Sequence, residues 1–122
     1  VHHALGPGLL ESAYEACLLF ELHRRALAAE RQVPLPITYE SIQIDAGFRI
    51  DLLVEGCVVV ELKSVDRIAP IHEAQLMTYL KLSGRPVGLL INFNVVQLKE
   101  GIVRKVFHQR HLTGDEEVSS FR

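Results

Sequence analysis

The chain predicts an α/β fold in which a mixed central β-sheet is flanked by helices. Three observations carry this expectation. Two apolar runs, Phe48 to Leu53 and Cys57 to Lys63, flank Val54-Glu55-Gly56 and read as strands of a hairpin rich in Val, Leu and Ile. Ahead of them, Leu10, Ala13, Tyr14, Cys17, Leu18 and Leu22 recur at helical spacing. Behind them, a helix beginning at Pro70 leads to another strongly apolar run, Val87 to Phe93. A helical crossover between two strands suits parallel pairing.

With 122 residues the sequence makes one domain, spanning 1–108, followed by a polar tail over 109–122. A domain of this size buries roughly two-thirds of its unfolded surface. The hydrophobic fraction of 48% is too high for a disordered chain. No apolar run approaches the ~20 residues of a membrane span, and no signal-peptide pattern opens the chain as given. Cys17 and Cys57 are the two cysteines, one in a helix and one in a strand, and read as buried free thiols. A reducing cytoplasm is the expected compartment. The net charge of −2 argues against a generally adhesive nucleic-acid binder. It leaves room for acidic ligands around a metal ion with basic residues along a groove elsewhere.

Gly6-Pro7-Gly8 breaks the chain before a helix from Leu9 to about Ala26. Glu11, Glu15 and Leu18 lie on a stripe beside its apolar face, which allows Glu11 either to point inward or to be solvated in the first turn, where the helix dipole favours it. The span from Glu30 to Pro36 reads as a loop entering an edge strand, because two prolines exclude a central position. Val33 to Tyr39 and Ser41 to Ile44 make a short strand pair, and Asp45-Ala-Gly47 turns into the hairpin. After Lys63 a loop leads to the helix from Pro70 to about Leu82, where His72, Gln75 and Tyr79 form a polar stripe. His72 reads as structural or substrate-facing rather than as a ligand. Ile102 to Phe107 forms the last strand, and Lys99, Arg104, Lys105, Arg110 and His111 make its surroundings the most basic segment. That segment is either a solvated edge that discourages strand pairing or a rim that contacts phosphates.

The hairpin organises the rest. Asp51 interrupts its first strand, and Glu61-Leu62-Lys63 ends its second. Charges in such apolar surroundings are costly unless paired or ion-bound. Glu61 and Lys63 are two apart and share a face. A two-residue loop would put Asp51 on the other face. A three-residue loop, Val54-Glu55-Gly56, pairs Leu53 with Cys57 and Asp51 with Val59, so that Glu61 lies diagonally across from Asp51 on the same face. We expect the second register, with Gly56 in the left-handed position of a bulge.

Asp51 with Glu61-x-Lys63 resembles the PD-(D/E)xK nuclease superfamily, with Ile50 standing where the motif's name has proline. Gly8-Leu-Leu-Glu11-Ser-Ala-Tyr14 resembles the signature of the GxxExxY family within it, and Gln75 sits where RecB-like nucleases carry a helical glutamine. The resemblance covers roughly Val1 to Phe107. It implies a restriction-endonuclease-like core and Mg²⁺- or Mn²⁺-dependent phosphodiester hydrolysis of nucleic acid, with DNA as the expected substrate. It also implies a metal set of Glu11, Asp51, Glu61 and the Leu62 carbonyl. The catalytic set would be Asp51, Glu61, Lys63 and Gln75. The ion would polarise the phosphate and activate water, Lys63 would stabilise developing negative charge, and Gln75 would hold water, Lys63 or a phosphate. Tyr14 is expected to pack. The alternative is an inactive module that keeps the fold to bind nucleic acid or a protein partner, a homo-oligomer included. A structural charge cluster without metal is a third reading, behind these two.

Overall fold

The computed structural model describes residues 1–108; the polar tail expected from Gln109 lies outside them, as do Arg110 and His111 of the basic segment. A single-turn helix α1, His2–Leu5, precedes α2, Glu11–Arg24. Then come β1, Ala29–Pro34; β2, Ile37–Tyr39; β3, Ile42–Ile44; β4, Arg49–Val54; and β5, Val58–Lys63. Helix α3, Pro70–Ser83, leads to β6, Val87–Asn92, and a 3-10 turn, Leu98–Gly101, leads to β7, Ile102–Val106. Among the described residues the main sheet is mixed and five-stranded, in the order β1-β4-β5-β6-β7, while β2 and β3 form a separate pair. The pair β5 and β6 is parallel and the other neighbours are antiparallel, as the crossover helix requires.

One helix covers each face. Tyr14 of α2 belongs to a buried cluster with Leu52, Val60, Leu62, Ile91 and Phe93. Leu76, Tyr79 and Leu80 of α3 belong to another with Leu35, Ile50, Leu53, Val59 and Leu90. Alternation along β5 therefore sends Val60 and Leu62 toward α2, and Val59, Glu61 and Lys63 toward α3. Helix α3 approaches β6 closely where Gly88 offers no side chain: a Cβ there would stand 2.8 Å from Leu76 Cδ1.

Two local expectations are corrected. The stretch from Glu30, expected as a loop, is the edge strand β1; its proline sits at the last position, and Leu35 beyond it donates its amide to Phe48 O. The hairpin turn also lies one residue further along. Cys57 donates its amide to Val54 O, Glu55 and Gly56 both take positive φ (54° and 65°), and Val54 pairs with Val58. Glu55 can adopt this conformation because its amide bonds Ala28 O and its carboxylate accepts from the Ala28 amide, which pins the turn to the start of β1. Cys57 is consequently exposed at the turn rather than buried in a strand, and Cys17 is half-buried; both are free thiols.

Candidate active site

The corrected register keeps the expected parity and brings the carboxylates closer. Leu52 pairs with Val60, and one further step sets Asp51 across from Glu61. The backbone ladder stops there. The Asp51 amide instead donates to Glu61 Oε1 (3.4 Å), and the Leu62 amide donates to Asp51 Oδ2 (2.8 Å). On the other side of Asp51 the ladder with β1 also skips a rung, between Arg31↔Leu52 and Val33↔Ile50. The skipped residue, Gln32, has a φ of 51°, a conformation uncommon for any residue with a side chain. The Asp51 carboxylate thus occupies a point where both neighbouring ladders lack a rung, and side chains fill the hydrogen-bonding gap.

Glu61 is buried, at 7% exposure, and burial is the main force that pushes its pKa from 4.5 up to about 9. The charge of Asp51 and a hydrogen bond between the two carboxyl groups push the same way, while the Asp51 amide and the Lys63 charge oppose them. At neutral pH Glu61 holds a proton. Lys63 ends the same strand, half-buried, and no hydrogen bond or ion pair ties up its ammonium group among the described residues. From α3, Gln75 Nε2 donates to the Tyr79 hydroxyl at 3.2 Å. Burial first, then the charge of Glu61, raises the Tyr79 pKa, so the phenol stays a proton donor beside the carboxylates.

Glu11 is exposed at the first position of α2. Its Oε1 accepts from the Ser64 amide at 3.3 Å, immediately beyond Lys63, while the Ser64 hydroxyl donates to Leu9 O at 2.6 Å. Among the described residues no group of three or more His, Cys, Asp or Glu side chains stands ready to enclose an ion. The Asp51–Glu61 pair nevertheless fits a hard divalent cation. It offers oxygen donors alone, and its crowded charge is at present relieved by a proton that a cation would replace.

Residues beyond the sequence expectation complete the surroundings. Glu15 is buried at 5% exposure, one turn after Glu11, and accepts from Arg31 (3.2 Å) and from Gln32 Nε2 (2.5 Å). The same Gln32 nitrogen reaches Asp51 Oδ1 at 3.4 Å. Gln32 is therefore the link between α2 and the site. The four-residue spacing of Glu11 and Glu15 was a signal for the helix side of this link; nothing in the sequence marked Gln32. Tyr14 is fully buried. Its hydroxyl donates to Gly6 O (2.6 Å) and accepts from the Leu9 amide (3.1 Å), and its ring stacks on Phe93 at 4.2 Å. His72 accepts from the Ala69 amide through Nδ1, capping α3. Lys105 is tied to Glu73 at 2.9 Å, which takes it out of a free phosphate-binding rim. No helix among the described residues is long and apolar enough to cross a membrane.

The family model described as PD-(D/E)XK nuclease superfamily matches residues 1–105. No curated protein and no solved structure showed a significant match.

Proposed function

The chain belongs to the PD-(D/E)XK nuclease superfamily, and from that membership we propose that it hydrolyses phosphodiester bonds in nucleic acid, DNA first, with Mg²⁺ or Mn²⁺. The observation that carries this reading is the pairing of Asp51 with a buried, proton-holding Glu61 beside the ammonium of Lys63. Two neighbouring carboxyl groups on an apolar sheet are unfavourable for a purely structural role, since replacing them with apolar residues would relieve both desolvation and repulsion.

Asp51 and Glu61 would hold the ion. The Leu62 carbonyl of β5, and Glu11 of α2, whose carboxylate reaches the Ser64 amide just beyond that strand, would extend the donor set. When bound, such an ion supplies charge neutralisation at the phosphate and a more acidic water. Lys63 would orient the attacking water and stabilise the negative charge that gathers on the phosphoryl oxygens as the P–O bond to the leaving group lengthens. Gln75 donates to the Tyr79 hydroxyl on α3, and the two would hold water or a substrate oxygen over the same carboxylates. We place the chain in the GxxExxY branch. In support, Tyr14 clamps the Gly6-Pro7-Gly8 turn, and that turn delivers Glu11 to Ser64.

Lys63→Ala tests the proposal. The carboxylates remain, so Mg²⁺ or Mn²⁺ affinity by calorimetry should be nearly unchanged, while the cleavage rate should fall ~10²-fold or more, the scale of one lost electrostatic stabiliser. Wild-type protein that binds nucleic acid but cuts no DNA or RNA form with either ion would return the chain to a binding module.

A further inference from the structure

A groove of about 220 Å³ opens between α3 and the segment that leads into β4, and Gln75 and Tyr79 of α3 are among its lining residues. Phe48 forms one wall, with Ile37 beside it, and Ile71 and Ala74 form the opposite rim. Resting on the reading that the neighbouring carboxylates act on nucleic acid, we infer that this groove binds one unpaired nucleobase next to the scissile phosphate. The substrate class is therefore single-stranded nucleic acid, or a duplex with an unpaired nucleotide at the cut.

Four features point to that occupant. Among the described residues the groove is lined by no charged side chain, so none of them offers a cation to hold a phosphate. Its walls are apolar and aromatic, with hydrogen-bonding groups at the Gln75 amide and the Tyr79 hydroxyl, which suits a flat ring with a polar edge. Phe48 lies edge-on to Tyr79, ring centroids 6.3 Å apart and planes at 68°, and stays 40% exposed, leaving its own ring surface open for stacking. Its volume is below the range of drug-sized pockets, enough for one ring system and not for a helix of a partner protein.

Continuity with the site decides between a nucleobase and an unrelated small molecule. Tyr79 packs in one buried cluster with Ile50, next to Asp51 in β4, and with Val59, on the same face of β5 as Glu61, and is at the same time part of the groove. A ligand with its phosphate at the carboxylates has its next group here. A base inside a duplex is stacked on both faces and cannot enter without being unpaired. The groove thus sorts nucleic acids by pairing state rather than by backbone charge.

The test uses the full chain and fluorescence anisotropy with a labelled oligodeoxythymidine, the corresponding blunt duplex, and a strand carrying one abasic site. Binding is measured in Mn²⁺ on a Lys63→Ala background to suppress cutting, and cleavage is measured separately with wild type. The single strand should bind at least about tenfold tighter than the duplex. Phe48→Ala should weaken single-strand binding about tenfold and leave duplex binding unchanged. Ala74→Leu, which fills the exposed rim without removing a core contact, should act in the same direction. Equal binding of strand and duplex, untouched by either variant, overturns the inference; wild-type cleavage in that case leaves the nuclease reading standing. Neither binding nor cleavage of any substrate overturns both. A dimer seen by sedimentation velocity that Phe48→Ala dissolves would assign the groove to a second copy of the chain and overturn the inference.

Discussion

Replacing Glu61 with glutamine should make the metal-free protein more stable at neutral and alkaline pH. In the folded chain Glu61 keeps its proton up to about pH 9, whereas an unperturbed carboxyl group loses it near 4.5. The folded state therefore binds more protons than the unfolded state across that window, and stability must fall as pH rises through it. Below 4.5 both states are protonated and above 9 both are ionised, so the curve is flat at each end. At roughly 1.4 kcal/mol per pH unit the full window has a ceiling of roughly 6 kcal/mol. Asp51 and Lys63 are only half-buried, so water screens part of this, and a fall of roughly 2–4 kcal/mol is the expected size. The groups facing Glu61 are Asp51 from β4, Lys63 on its own strand, and Tyr79 from α3.

Urea unfolding of wild type and Glu61→Gln with EDTA, from pH 5 to 9, measures this directly. The two stability profiles should diverge steadily, with the variant nearly flat over the range where wild type declines. A divalent cation should also displace the proton. At pH 7, calorimetry in two buffers of different ionisation heat should report close to one proton released per ion bound by wild type, and markedly less by the variant. Parallel stability profiles, within about 0.5 kcal/mol across the range, would refute the claim that burial and Asp51 hold Glu61 protonated.

Two substitutions probe the scaffold. Tyr14→Phe removes a hydroxyl that bonds Gly6 O and the Leu9 amide, and should cost roughly 1–3 kcal/mol in chemical denaturation with metal affinity preserved; a loss of cleavage without a loss of stability would give Tyr14 a chemical role. Gly88→Ala pushes a methyl group against the buried Leu76 and should destabilise by roughly 1–3 kcal/mol, whereas an unchanged melting temperature would show that α3 can ride further from the sheet.

Much of the architecture was legible in the sequence because it rests on periodicity. The apolar stripe around Tyr14 and the apolar runs that open β5 and fill β6 announce their elements, and a helix between two strands dictates parallel pairing. Asp51, Glu61 and Lys63 were legible for the complementary reason: they violate that pattern. The turn was harder, since a glutamate at positive φ is held there by bonds from Ala28, a partner distant in sequence. β1 was obscured by Pro34 at its last position and Pro36 just beyond it, which an edge strand tolerates at its end.

Gln32 is the residue that local pattern could not find, and it yields the sharpest remaining prediction. It is an exposed glutamine in a polar edge strand, and its importance lies wholly in a backbone conformation at φ 51°. That conformation lifts it out of the ladder with β4 and lets one amide nitrogen meet both Glu15 and Asp51. Gln32→Ala keeps the strain and removes the amide; Gln32→Gly removes both. If the amide orients Asp51, both variants should weaken Mn²⁺ binding about equally, by roughly tenfold, the lower end of what a partner behind a metal ligand contributes. Gly should also be the more stable of the two, because it adopts positive φ without a Cβ penalty. Metal affinity unchanged in both variants would leave Gln32 as a tie between α2 and β1 alone. Affinity lost in Ala but restored in Gly would locate the effect in the backbone rather than in the amide.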